Sequence, residues 1–451
     1  MLPKSLNALR RPSSPSLACL VAAAFAVGTP LDSTAASTWP VTSCADDGGP
    51  GTLRSVISNG LTQSGDAVDL SGLPAACGLV NSTITLDAGA GEIPVAQQSL
   101  YIIGPATSKG SVTISGHGAS RVFNHMGTGS LTIEYLQVAD GFAQSVSGLA
   151  RGGCIASDGS VQVVASTISN CVVSALGSSD LAKGGGISAN NSIELVSSTV
   201  SHNLATAEFS VGGGTYSSEF NSKYSTLEGN AAITSTGSST STGGAVFAST
   251  AHVSRSLIDG NSADIGGGMF LFGSNTTFSN STVSNNNGHL GSALYLSSGI
   301  DTKIQDSTIA FNTSTDQGAV IATGKFALTN TIVAMNSSVG SYSDLIVDPN
   351  FAISGGANWI MATNANSASL PANFGLHPGI DPLLRPLQLS GGRTRVLVPQ
   401  PNSPVLGQGS NDSGESNDQR GIGYPRVSGA TASVDVGAVQ FDVIFVDSYG
   451  Q

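Results

Sequence analysis

Charged residues make up only 10% of this 451-residue chain and aromatics 6%, and tryptophan occurs twice. Basic residues are the scarcer sign, 17 against 29 acidic. That balance argues against a polyanionic partner such as nucleic acid, although a local groove can differ from the mean. No stretch beyond the first 36 residues is apolar enough for a transmembrane helix. The few aromatics look scattered, which disfavours the ring-lined cleft of a carbohydrate-active enzyme. What remains is 57 glycines with abundant Ser, Thr and Asn around many short apolar segments. Such a pattern predicts many short strands and few helices. With hydrophobic residues at 40%, the chain can fill a long, narrow core.

The N-terminus reads as a processing segment. Lys4, Arg10 and Arg11 precede the short apolar run Leu17–Val27, and small residues follow, with Ala35 or Ala36 a suitable last residue before cleavage. Pro12-Ser13-Ser14 after the arginine pair favours the general secretory route over twin-arginine export. Cys19 lies inside the apolar run rather than after it, which argues against a lipoprotein anchor. Removing residues 1–36 takes away three basic residues and Asp32, leaving 14 basic and 28 acidic residues and a net charge of −14. Four cysteines then remain, and an even number in an exported chain predicts two disulfides. The pairs nearest in sequence, Cys44–Cys77 and Cys154–Cys171, are the expected ones among three possible pairings.

Self-similarity dominates the middle of the chain. Segments beginning at Gly152, Gly184, Gly212, Gly243, Gly266, Gly291 and Gly318 are each followed by a motif such as Ser166-Thr167-Ile168 or Ser281-Thr282-Val283. Each then reaches a fixed position occupied by Cys171 and, in turn, Asn203, Asn230, Asn261, Asn286, Asn312 and Asn336. These positions lie 32, 27, 31, 25, 26 and 24 residues apart. The shorter spacings suit one coil of a right-handed parallel β-helix, and the asparagines form a ladder that satisfies buried turn backbone. Three inward columns follow from the alignment. The first is Ile155, Ile187, Thr215, Val246, Met269, Leu294 and Ile321; the second is Val163, Leu195, Ser222, Val253, Phe278, Ile304 and Leu328. The third is Ile168, Val200, Leu227, Ile258, Val283, Ile309 and Val333. The Gly212 coil, with Thr215 and Ser222 in core positions, is the weakest layer.

Less regular strands are expected at 66–70, 82–86, 100–103, 112–114, 121–123 and 131–138. A short helix at 51–57, with Thr52 near its N-cap, covers the open end of the stack. The expected organisation is a signal peptide (1–36), an N-terminal cap (37–65), the all-β solenoid (66–340), an irregular closing region (341–440) and a tail (441–451). Long insertions at 172–183, 204–211 and 231–242 all follow the ladder position and therefore share one edge, where solenoids often build binding surfaces.

Cys44 with Gly51-Thr52-Leu53-Arg54 resembles the start of bacterial right-handed parallel β-helix repeat proteins of the choice-of-anchor Q type, which have a pectin-lyase-like fold. Ile380-Asp381-Pro382-Leu383-Leu384, Gly391-Gly392-Arg393-Thr394, Asn402-Ser403-Pro404-Val405, Asp418-Gln419-Arg420-Gly421, Arg426 and Asp435-Val436-Gly437-Ala438-Val439 resemble that family's closing region. The resemblance covers residues 40–442. It implies fold, export and surface association, and brings no catalytic set with it.

Candidates for chemistry are few. Gly116-His117-Gly118 matches a polygalacturonase element only superficially, because no aspartate-bearing elements precede it; His117 reads as a turn residue. Glu228 and Asp259 occupy one register on adjacent coils, just before the ladder asparagine. Stacked carboxylates at a strand spacing of about 5 Å could serve a retaining glycosidase, or attract Ca²⁺. The alternative is two solvated acids on an outward turn. No nonapeptide calcium repeat occurs, and the Gly-Gly starts lack the helix a nucleotide site requires. No metal or cofactor is expected beyond that one cation.

The leading expectation is therefore a secreted or cell-surface scaffold, monomeric and non-catalytic, that binds a glycan or another surface partner. A polysaccharide lyase or glycoside hydrolase on the same fold is the second reading, and an autotransporter-like passenger the third.

Overall fold

A computed structural model describes residues 36–58, 62–78, 81–106, 111–235, 239–297, 301–340, 342–427 and 433–441. The expected processing segment, Ala36 apart, lies outside these residues, as does the tail after Phe441.

The chain is a parallel β-helix. Among the described residues, the first and second strands of the coils form one 20-stranded sheet, and the third strands form an 11-stranded sheet. Every named strand pair is parallel between successive coils, as in Ile155–Ser157 with Ile187–Ala189. Alternation of inward and outward residues along each strand gives the core its columns. The second and third expected columns run in unbroken register from Val163 to Leu328 and from Ile168 to Val333.

The first column needs one correction. Leu294 pairs with Val320, not Ile321, because the Gly318 segment closes its turn with one residue fewer. Val320 is wholly buried there, and Ile321 joins an outward column instead. A fourth inward column, not anticipated, runs from Leu131 through Val161, Ile193 and Phe220 to Ala251. Phe220, fully buried, fills the Gly212 coil, where Thr215 and Ser222 are indeed inside. Its ring offsets the volume those two small residues and Ala251 leave unfilled.

The coils reach further than expected at both ends. Thr38–Pro40, inside the expected cap, pairs with Ala67–Asp69 as a regular strand. Beyond 340, Leu345–Val347, Ile353–Gly356 and Trp359–Ile360 complete one more coil. Helix α1 (Leu53–Ser58) stands at the N-terminal end, buries Leu53, Ser55 and Ile57, and begins with the Thr52 hydroxyl accepting from the Ser55 N–H. The sharp turns of a coil centre on residues with positive φ. Gly152, Gly184 and Gly212 are such positions, and a Cβ on any of them would come within about 2 Å of the carbonyl oxygen three residues on. The residue before each serine motif (Ala165, Ser197, Tyr224, Arg255, Asn280, Asp306, Asn330, Ala357) is also left-handed, as are several before the ladder asparagine.

Two side-chain ladders secure these turns. Each ladder asparagine from Asn230 to Asn336 accepts, through Oδ1, both the backbone N–H and the Nδ2–H of the asparagine in the coil before. Its own Nδ2 donates to a carbonyl of that coil, as Asn230 does to Val200. The second ladder is of serine. Oγ of Ser166, Ser198, Ser225, Ser256, Ser281 and Ser307 each accepts a backbone N–H from the previous coil, and Thr331 and Asn358 continue the series.

The asparagine ladder has a defined terminus at each end. At the first coil, Cys171 bonds Cys154, with Cα atoms 5.4 Å apart. In later coils the same two positions hold a glycine or alanine against an asparagine: a Cβ on Gly186 would lie 3.0 Å from Asn203, and one on Gly214 3.1 Å from Asn230. The disulfide thus replaces a packing contact that the repeat uses elsewhere. Cys44 bonds Cys77 near the N-terminal end. At the other end Asn336 donates its N–H and Nδ2–H to Oδ1 of Asp344, which is 1% exposed.

Burial pushes the Asp344 carboxyl up to about 6, against the lowering effect of the two Asn336 donors. A folded-state value above that of the unfolded chain means that Asp344 contributes stability below about pH 4 and loses that contribution as pH rises through about 6. Asp344→Asn keeps the acceptor and removes the buried charge. The variant is expected to be more stable than the parent at pH 7.5, by up to about 3 kcal/mol for a two-unit shift, and to flatten the dependence between pH 4 and 6. Denaturant unfolding across that range checks it; a parallel offset at every pH would show that the carboxyl does not titrate there. For the disulfide, replacing both Cys154 and Cys171 by alanine should cost about 3 kcal/mol. The pair Cys154→Gly with Cys171→Asn should recover about 1 kcal/mol of that, because it restores the repeat's own contact. Equal melting curves for the two double variants would refute the equivalence.

Candidate functional site

The insertions on the ladder edge are strands rather than loops. Phe142–Ser145, Val172–Ala175, Leu204–Ala207 and Ala231–Thr234 form a parallel sheet, faced by a second one of Leu149–Arg151, Leu181–Lys183 and Phe209–Val211. Between them lies a small core of Ala143, Ala150, Val173, Ala175, Ala182, Ala205 and Ala207. Alanine's short side chain lets two sheets close into a thin fin. Residues Leu149, Leu176 and Phe209 are exposed on it.

The stacked acids are in register as expected, Glu228 opposite Asp259. Nη2 of Arg395 reaches both, at 2.8 Å from Glu228 and 3.0 Å from Asp259. The other Asp259 oxygen accepts from Ser284 Oγ and Asn285 Nδ2 at 2.8 and 2.7 Å. A guanidinium therefore stands where a cation or a glycosidic oxygen would have to sit, and the pair anchors a distant segment. His117 is an exposed turn residue with φ of 52°, its N–H bonded to Ser115. Among the described residues no three His, Cys, Asp or Glu side chains gather as metal ligands.

Arg395 belongs to a strap, residues 381–427 and 433–441, that runs back along the third-strand flank rather than only closing the end. Several of its other anchors fall on the left-handed column before the serine ladder. Arg393 donates to Ser197 Oγ at 2.8 Å, Glu415 holds Arg255 at 2.7 Å, and Arg426 holds Asp306 at 2.9 Å with both side chains fully buried. Asn330 takes the N–H of Ser410 and donates to the Asp435 carbonyl. Apolar contacts join Leu384, Leu397, Val405 and Val436 to Ala310, Ile332 and Trp359. Left-handed residues point outward from the turn, so one column presents a row of anchors along the helix.

Some of the aromatic residues are gathered rather than scattered. Tyr216, Phe247, Phe270 and Tyr295 stack one per coil on the outer face of the long sheet, with centroids 5.2–5.5 Å apart and planes within 8°. Each follows a first-column core residue directly, as in Val246-Phe247, and that alternation was the signal in the sequence. Lys183 caps the Tyr216 ring at 4.4 Å and donates to its hydroxyl. Phe272, 44% exposed, leans on Phe247. Ring faces are consumed within the stack, so a ridge of ring edges meets solvent. Beside it, a polar column of Gln162, Glu194, Asn221, His252, Thr277 and Lys303 runs in register on the same outer face.

A cleft of about 520 Å³ opens where the strap crosses the helix, lined by Val196, Ser197, Lys223, Tyr224, Gly391, Gly392, Arg393, Arg420 and Ile422. A further hollow of about 300 Å³ lies below the fin, beside Asp264 and His289.

No family model matches the chain, and no curated protein matches it. Among solved structures, the crystal structure of pectate lyase Pel9A is similar at 13% sequence identity and a TM-score of 0.42, over 90% of this chain and 96% of that chain. The β-helix itself is established by the parallel register of the chain's own strands. No helix among the described residues is long and apolar enough to cross a membrane.

Arg395→Ala would leave two acids opposed on adjacent coils and remove one anchor of the strap. The expected cost is about 1 kcal/mol, since Arg395 and Glu228 are each about a third exposed. Limited proteolysis should then cut faster within 381–441. Unchanged cleavage would show the anchor to be dispensable.

Proposed function

We propose that this protein is an exported, surface-associated β-helix scaffold that binds a glycan along the outer face of its long sheet and does not turn it over. The observation that supports the reading is the aromatic ridge with its flanking polar column, repeated once per coil. Ring edges and tyrosine hydroxyls supply apolar contact and hydrogen bonds together, which suits an amphipathic polymer. A repeating partner gains by engaging successive coils, because each added contact is intramolecular once the first has formed. The reading of export and surface association is supported by the N-terminal segment and the choice-of-anchor Q resemblance. Against a lyase or hydrolase stands the use of the stacked acids, Glu228 and Asp259, to hold Arg395.

A panel of polysaccharides offered to the purified protein tests binding and product release together. Binding without release is expected. Phe247→Ala combined with Phe270→Ala should weaken it at least about tenfold, the loss of two aromatic contacts of about 1 kcal/mol each, with circular dichroism unchanged. Product release abolished by Glu228→Gln or Asp259→Asn would overturn the scaffold reading.

A further inference from the structure

The strap cleft gathers positive charge in a chain that has little. Among the described arginines, Arg54, Arg121, Arg151, Arg255, Arg395, Arg420 and Arg426 each hold a carboxylate. Arg393, an exposed residue of the cleft, is bonded only to a neutral hydroxyl, that of Ser197. Lys223, also exposed, has no carboxylate partner and lies across the ring of Tyr224, 5.9 Å from its centroid, the same distance as the Arg393 guanidinium. Among the described residues no acidic side chain lines the cleft, and the third cation of its lining, Arg420, is already held by Asp418. Arg255 also faces this half-buried ring, at 5.8 Å, but is held by Glu415; Arg393 and Lys223, with a hydroxyl between strap and coil, leave several N–H donors facing open space.

We infer that this cleft is an oxyanion site that takes the acidic group, carboxylate or sulfate, of a charged saccharide. The charge comes from Arg393 and Lys223. Ser197 supplies a neutral hydrogen bond, and Tyr224 with the exposed Ile422 supplies apolar surface for a sugar ring. Gly391 and Gly392 let the strap fold closely on itself at the cleft wall, where a Cβ would strike Tyr424 and Arg420. The cleft exists only while the strap is docked, since half its lining comes from each side. Its anionic ligand therefore stabilises the docked strap. The saccharide assignment rests on the glycan reading above, while the oxyanion site is independent of the aromatic ridge.

Calorimetric titration of the purified protein with sodium glucuronate, glucose and sodium sulfate tests the inference. Glucuronate is expected to bind, glucose to show no heat, and the glucuronate affinity to fall about tenfold in Arg393→Gln and in Lys223→Gln. The Phe247→Ala and Phe270→Ala pair should leave it unchanged, which separates this site from the ridge. Equal behaviour of glucuronate and glucose, or unaltered affinity in both charge variants, overturns the site. Sulfate bound as tightly as glucuronate overturns the saccharide assignment. Melting curves of the two glutamine variants, expected to match the parent, exclude loss of fold as the cause.

Discussion

Everything in this molecule depends on satisfying the backbone of buried turns. A parallel coil must change direction several times, and the groups at those corners face the next coil rather than water. An unpaired buried N–H or C=O costs about 1–3 kcal/mol, so a stack of such coils cannot stand on apolar columns alone. The asparagine and serine ladders meet that demand with the same geometry in every coil. Each side chain binds the coil before it, which makes the register of one turn the condition for the next. That coupling explains why the ladder ends matter: one is a covalent bond at Cys171 and the other a buried carboxyl at Asp344.

The left-handed residues are the second consequence. A non-glycine residue held there costs about 1–2 kcal/mol, and this chain accepts Tyr224, Arg255, Asn280 and Asp306 in succession. Where a Cβ would collide with the coil's own carbonyl, only glycine serves; elsewhere the side chain is directed outward and becomes available. The strap uses that row. Arg426 to Asp306 and Glu415 to Arg255 each tie residues more than 100 positions apart, on coils separated by the Asn280 coil, so a constraint of local turns becomes the anchorage of a long irregular segment. A fully buried ion pair such as Arg426–Asp306 is weak evidence for stability but specifies where the strap sits.

The asparagine column was readable because one residue type recurred at one spacing, and the core columns followed from it. Ser198, Ser225 and Ser256 stood in the same aligned strings, yet serine is so common in turns that its second role carried no distinctive signal. Val320 was missed for Ile321 because a turn one residue shorter is invisible to alignment on Gly318. Asp344 lies eight residues past Asn336 in aperiodic sequence, where no pattern marks it. The pairing of Glu228 with Asp259 was visible, but Arg395, 136 residues away from Asp259, was not tied to it by any period. Periodic placements were legible; contacts of the strap were not.

The same periodicity bears on recognition. In a parallel stack any outward position repeats at the strand spacing, so a single favourable residue type becomes a column when selected in successive coils. Tyr216, Phe247, Phe270 and Tyr295 form such a column, and their rings spend their faces on one another. A column of stacked rings is rigid, since no ring can tilt without displacing its neighbour, and rigid contacts lose little entropy when a partner arrives. Charge follows the opposite course. Most of the described arginines are spent on internal carboxylates, and the exposed pair Arg393 and Lys223 at the strap cleft forms a local basic cluster on an acidic surface. A ridge that is long and nearly neutral can grip a polymer along its length, while a compact basic cleft can discriminate among the groups it carries. Affinity and selectivity would then reside in different parts of one coil stack, the first set by the number of coils engaged and the second by two side chains.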